Sequence, residues 1–361
     1  MIKNCTIDDL PEVIKIHNEI YFPKERRVSQ GLLDYYKTVF FQTPWHNDDI
    51  SSLVFRNKHD EIIGFAGVIA RQMHYRGKII NVAVPHRLMV SPSRGEAFAA
   101  PRLIRHVLSG PQDLSLADSA NDGGRKVWEG AGGKIAVLYS MDWIRPIQPF
   151  AYGAVLFSQK MNRFGLKSLT RVGQLVDALG PAGFLNKNIS EGEFTTHEAG
   201  DDQTFDCMTK LSKGYELSPR YGRKDWKWLI RFQRNNEHRG SFKSFVVSAN
   251  KNRTIGAFAF YVKNNKQGEV MFLLAHQKAR NQVFRCLLNE ARKQDLVSLS
   301  GKMDPQFFDC YTKNRCLLIH NHNWGAFHTK NEELANSIYR GEAFISNMEG
   351  EMWLRSPYDK L

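Results

Sequence analysis

The sequence predicts an α+β protein with mixed sheets, arranged as two tandem domains that each carry a mostly antiparallel twisted sheet flanked by helices. Three observations support this. β-rich runs broken by polar turns fill residues 51–90, strand-like and helical segments then alternate to about residue 145, and the same order returns in the second half. At 361 residues the chain can bury two cores. With 42% hydrophobic and 12% aromatic residues, disorder as the main state is excluded.

Asp8 to Tyr21 (DDLPEVIKIHNEIY) places apolar residues at helical spacing behind an acidic start, which predicts an amphipathic helix. A second helix is expected over Gln30 to Phe40. From Ser51 to Val90 the turn signals NKHDE and HYRGK separate β-rich runs, as in a meander of three or four strands. After Pro92 come a helix (Ala99 to Leu108), a short strand around Leu114 to Ala117 and another helix (Asp122 to Glu129) that ends at Gly130, Gly132 and Gly133. KIAVLYSMDW reads as one more strand. Residues 151–190, basic and partly helical (SLTRVGQLVDAL) with a Gly180-Pro181 stop, are the expected connection between domains 1–150 and 191–361.

The repeat is visible without gaps. LVFRNKHDEIIGFAGVIA, from Leu53, aligns with FVVSANKNRTIGAFAFYV, from Phe245, so Ile63-Gly64 falls on Ile255-Gly256 at an offset of 192 residues. EVMFLLA, a helix from Arg280 to Gln294, DLVSLS and the helix DPQFFDCYTKNR then follow in the order strand, helix, strand, helix.

Lys and Arg number 50 against 37 Asp and Glu, a net charge of +13 that favours an anionic partner. No apolar run approaches bilayer length and no signal core stands at the start, so a cytoplasmic protein without membrane or nucleic-acid contacts is expected. Five scattered cysteines, without a CxxC pair, read as reduced thiols. His320, His322 and His328 lack a carboxylate or Cys to complete a ligand set, so no metal is expected.

The most informative stretch is His86 to Ala99, HRLMVSPSRGEAFA. A strand ends at Val90, Pro92 cannot extend the ladder, and Arg94-Gly95-Glu96-Ala97-Phe98-Ala99 leads into a helix. Small residues at a helix N-terminus point amides outward, which with the helix dipole suits phosphate oxygens, and Arg94 adds a charged donor.

Here the chain resembles the GNAT superfamily of acyl-CoA-dependent acyltransferases, whose fourth strand reads like LxVxP and whose next loop has the form Arg/Gln-x-x-Gly-x-Gly/Ala. Leu88-Met89-Val90-Ser91-Pro92 and Arg94, Ala97 and Ala99 carry the match, with Ala97 standing where Gly is usual. Asn121 and Gly132 match a downstream family segment; Trp128 stands where many members have a leaving-group Tyr, and Tyr311 falls at that place in the second copy.

The resemblance implies that acyl-CoA lies against Leu88, Val90, Arg94 to Ala99 and Asn121. It also implies an amide of the splayed fourth strand, Met89 or Val90, as oxyanion donor. His86, on one strand face with Leu88 and Val90, and Asp142, on the following strand, are the candidate bases. HQKARNQVF, the second copy's counterpart of the loop, contains no Gly, so the first domain is the expected acyl-CoA binder and the second a degenerate copy shaping the acceptor cleft.

Tandem chains ending in a segment like ISNMEGEMW are similar to acyltransferases of surface-polysaccharide (O-antigen) pathways. Among these are 3-hydroxybutanoyl transferases acting on dTDP-linked 3-amino-3,6-dideoxy sugars, and acetyl is the other acyl group considered. Trp45, Tyr311 and Trp324 are the candidate acceptor contacts. The alternatives are a peptidoglycan-type aminoacyltransferase that uses aminoacyl-tRNA and a non-catalytic module that kept the fold.

Overall fold

The computed structural model describes residues 1–24, 29–160, 172–174, 176–177, 194–249 and 253–358. The first half runs through β1 (Ile2–Asn4), α1 (Leu10–Tyr21), α2 (Gln30–Phe41), β2 (Leu53–Arg56), β3 (Ile62–Tyr75), β4 (Lys78–Val90), α3 (Ala99–Leu108), β5 (Leu114–Ala120), α4 (Asp122–Gly130), β6 (Lys134–Ile135), β7 (Asp142–Pro146) and α5 (Pro149–Lys160). The second runs through β8 (Phe194–Glu198), α6 (Asp201–Leu211), β9 (Leu217–Pro219), α7 (Arg223–Arg234), β10 (Ser241–Ala249), β11 (Arg253–Val262), β12 (Gln267–Ala275), α8 (Arg280–Lys293), β13 (Ser298–Lys302), α9 (Phe308–Lys313), β14 (Leu317–Ile319), β15 (Trp324–His328) and α10 (Glu332–Tyr339).

Local chemistry explains these elements. Thr6 and Asp9 form a capping box ahead of α1, and Pro11 occupies its first turn, where no amide is needed. β3 is buried almost throughout, as its unbroken apolar run IIGFAGVIA requires of a strand covered on both faces. In α3, Ala99, Leu103, Ile104, Val107 and Leu108 recur at helical spacing and join Ile63, Val68, Ala70 and Trp128 in one core.

Among the described residues there are two sheets. One has the order β1-β2-β3-β4-β5-β15-β6, with β9 added to β3; the other has the order β8-β10-β11-β12-β13-β7-β14. Parallel pairing of β4 with β5 and of β12 with β13 interrupts otherwise antiparallel ladders. The repeat read at offset 192 holds to the single residue. Both first hairpins carry a register shift at corresponding places, between Phe55 and Arg56 and between Val247 and Ser248. Gly64 and Gly256 have a packing reason to match: a Cβ on either would lie 3.0 Å from Leu103 of α3 or 2.5 Å from Val283 of α8, the helix crossing the strand.

The linear division at 150 and 191 is corrected by the strand order. KIAVLYSMDW is two strands rather than one. β6 stays in the first sheet, a 3-10 turn follows at Val137–Ser140, and β7 enters the second sheet between β13 and β14. In return β15 lies between β5 and β6. One compact unit is therefore Met1–Ser140, Tyr215–Trp228 and His322–Leu361, and the other is Met141–Gly214 and Leu229–Asn321. Hydrophobic pattern reports that a segment is extended, not which sheet it joins. Most of the expected connection 151–190, including Gly180-Pro181 and much of SLTRVGQLVDAL, lies outside the described residues. Among the described residues no helix is long and apolar enough to cross a membrane.

Candidate functional site

Along β4 the residues pair with β3 in steady register except at one point. Leu88 lies opposite Ala66 and His86 opposite Gly67, so Arg87 is an extra residue, bulged with φ +65°. A bulge shifts side chains between faces, which corrects the expectation that His86 shares a face with Leu88 and Val90. Leu88 and Val90 pack on the α3 core, whereas the His86 ring lies 6.2 Å from that of Phe40 in α2.

The ladder also selects the outward amide. Ser91 donates its N–H to Ile63 O, so by antiparallel alternation Met89 bonds to Phe65 while Val90 N–H points to the β5 side. Met89 is thereby corrected from donor to core residue: its side chain is buried and its sulfur accepts the Tyr36 hydroxyl at 3.8 Å. On the β5 side the parallel pairing runs through Val82 and Ala83, opposite Leu114 and Ser115. The β4–β5 ladder ends at that pair, well short of Val90, whose outward amide therefore lies beyond it.

The loop from Ser91 to Phe98 follows directly. Gly95 N–H donates to Ser91 O, and a Cβ on Gly95 would lie 2.4 Å from both that oxygen and Val90 Cγ1, so this turn requires glycine. Glu96, Ala97 and Phe98 are exposed, with Phe98 73% accessible, and Ala99 is buried where α3 begins. Glu19 of α1 reaches the same loop. Its carboxylate accepts the Ser91 and Ser93 hydroxyls at 2.6 and 3.2 Å and pairs with Arg94 at 3.3 Å.

A second histidine, His17 of α1, which no sequence motif marks, acts on His86. His17 Nδ1 is 2.9 Å from the Tyr36 hydroxyl; burial, with help from Arg87, lowers its pKa to about 4. Burial, then Arg87 and His17, hold His86 well below the usual imidazole range, so it is neutral, with Nε2 buried and without a hydrogen-bond partner.

Asp118, three residues past the last β4-paired residue of β5, accepts the Glu351 and Met352 amides at 2.7 and 3.0 Å. Glu351 answers by accepting the Asp118 and Ser119 amides at 2.8 and 3.0 Å. Burial, and next the Asp118 charge, push Glu351 up to about 8. One signal was present in the sequence: ISNMEGEMW carries two glutamates inside an apolar run, and LSLADSA carries one aspartate.

The other candidates separate between the two units. Asn121 caps α4 by accepting Gly124 N–H at 2.7 Å. Trp324 donates its indole N–H to Asp122 at 2.8 Å, beneath Arg125, at the open end of β5. Trp45 packs beside Trp228 and Trp353 in the same unit. Asp142 opens β7 in the second sheet, where it accepts the Asn321 side-chain amide at 3.0 Å. Tyr311 is corrected to a core residue of the second unit. It is 1% exposed, stacked 5.5 Å from Trp143, and its oxygen accepts Asp304 N–H at 3.1 Å. Equivalence of position in a repeat does not preserve exposure.

No protein-family model and no curated protein matches this chain. Solved structures do. A conserved protein of unknown function from Enterococcus faecalis, a probable N-acyltransferase, is 8% identical, with 90% of this chain and 71% of that one covered and a TM-score of 0.57. A GCN5-related N-acetyltransferase from Anabaena variabilis is 11% identical, with 92% and 73% covered and a TM-score of 0.56. Saccharomyces cerevisiae N-myristoyltransferase with bound myristoyl-CoA and inhibitors is 14% identical, with 96% and 86% covered and a TM-score of 0.52. The chain thus carries the fold of the GCN5-related N-acyltransferases in two tandem copies that have exchanged their last strands.

Proposed function

We propose that this chain is an N-acyltransferase that moves an acetyl or 3-hydroxybutanoyl group from acyl-CoA to the amino group of a nucleotide-linked deoxy-amino sugar. The observation that carries the reading is the early end of the β4–β5 ladder, short of Val90, together with the bulge at Arg87 and the Gly95 turn into α3. The yeast neighbour is a structure with bound myristoyl-CoA, which supports acyl-CoA as the donor here.

In this reading the pyrophosphate lies against the exposed amides of Glu96 to Phe98 and competes with Glu19 for Arg94. Val90 N–H donates to the carbonyl oxygen as the amine attacks. A C–N bond forms, the C–S bond breaks, the amine proton passes to the Asp118–Glu351 pair, and CoA leaves as the thiolate. A group raised to about 8 is suited to hold that proton near neutral pH. A thiol is an adequate leaving group without assistance, so Trp128 in place of a tyrosine is compatible with turnover.

Calorimetric titration with acetyl-CoA tests the reading. Binding at micromolar scale, weakened about tenfold or more in Arg94→Ala, is expected. Absence of CoA binding together with steeply salt-dependent tRNA binding would transfer support to the aminoacyltransferase reading, which the +13 charge favours. CoA binding without turnover on any amino sugar nucleotide would leave a binding module.

A further inference from the structure

We propose that Arg71, Trp45 and Trp228 form a subsite for an oxyanion borne beside a flat ring on the acceptor, a carboxylate or a phosphate; this rests on the acyltransferase reading above.

Arg71, on β3, is 6% exposed, and its Nη2 donates to the Tyr221 hydroxyl at 2.9 Å and to Met348 O at 2.8 Å. Its Nη1 is buried and has no hydrogen-bond partner, and the same is true of Trp45 Nε1. The guanidinium carbon lies 4.3 Å from the Trp45 ring centre, 5.1 Å from that of Tyr221 and 5.6 Å from that of Trp353. Trp45, Trp228 and Trp353 meet edge to face at 5.3 to 6.1 Å.

Two buried donors without acceptors in one cluster are costly, and an oxyanion between them would satisfy both. The nearest carboxylate, Glu349, reaches Arg71 only through the Tyr221 hydroxyl, which donates to it at 2.9 Å. Trp353 is fully buried while Trp45 and Trp228 are partly exposed, so a ligand would approach from the side of those two rings. A flat ring would stack there.

Position along the sheet relates the subsite to the bulge at Arg87. Arg71 lies opposite Val82, and His86 is four residues further along β4 on the same face, about 13 Å away at strand rise. An elongated acceptor held at Arg71 would place its other end at the bulge. Nucleoside diphosphates and ring-bearing carboxylates share the required chemistry.

The test is a tryptophan-fluorescence titration of the full chain with thymidine diphosphate and with benzoate, in saturating CoA so that the donor loop does not report. Saturable quenching by the diphosphate identifies phosphate as the source, and quenching by benzoate identifies carboxylate. In either case Arg71→Lys, which keeps the charge and loses the fork, and Trp45→Leu, which leaves β3 untouched, should weaken binding about tenfold. Melting curves confirm that the variants fold. Failure of both probes, or unchanged affinity in both folded variants, overturns the subsite. CoA binding with neither probe bound overturns only the subsite. Probe binding that depends on Arg71 while CoA fails to bind overturns the acyltransferase reading and keeps an anion site.

Discussion

The two copies share a hairpin to the residue and part company at the fourth strand. In the first, the bulge falls at Arg87 with positive φ, and a loop with Gly95 follows. In the second, the irregularity lies one step further from the strand end, between the partners of Ala259 and Phe260, and the extra residue is Met271. Its sulfur accepts from Arg239, which also pairs with Glu269 at 2.9 Å, and that ion pair is almost fully buried. The loop after β12 is a 3-10 turn, Gln277–Ala279, without glycine. The pattern that makes a strand pair is thus more tolerant than the pattern that shapes the strand's end and the loop after it. One keeps a hairpin through continuous apolar runs and a polar turn, whereas the other needs particular residues at a bulge and a turn.

The largest expected break of this contrast is Gly95→Val. Its branched side chain would collide with Ser91 O and Val90, and acyl-CoA affinity should fall about 100-fold in a protein that still melts cooperatively; unchanged affinity would remove the loop from the donor site.

Glu351→Gln comes next, with kcat/KM reduced about 100-fold if the acid pair takes the amine proton. The same variant has a stability signature. A carboxyl raised from 4.5 to about 8 in the fold binds its proton more tightly there than in the unfolded chain. Its contribution is therefore complete below pH 4.5 and lost as pH rises through 8. Melting temperature should decline over that window in the parent chain and decline less in Glu351→Gln. Parallel curves would show that Glu351 does not titrate there.

Tyr311→Phe is the smallest effect. Loss of the bond from Asp304 N–H should cost about 1 kcal/mol in denaturant unfolding and leave turnover with acyl-CoA unchanged. A selective rise in KM would return Tyr311 to the acceptor site.

Most of the fold was legible because periodicity and turns are local. The β meander, α3, α4 and the gapless repeat all appear where their residues predicted them, and Ile63-Gly64 matches Ile255-Gly256 because both glycines admit a crossing helix. The loop at Gly95 was legible for the same reason. What the sequence concealed is non-local. A single bulge at Arg87 reverses which side chains accompany His86, and Asp118 meets Glu351 from 233 residues away. Neither follows from spacing, since each depends on how strands register and what closes over them.

The exchanged strands set an order on synthesis. The sheet begun by Ile2 waits for Trp324–His328 to emerge from the ribosome before β5 and β6 gain their common neighbour, so the second copy must be made before the first sheet is complete. Separating the two copies would yield two incomplete pieces, each exposing an unpaired edge that invites aggregation.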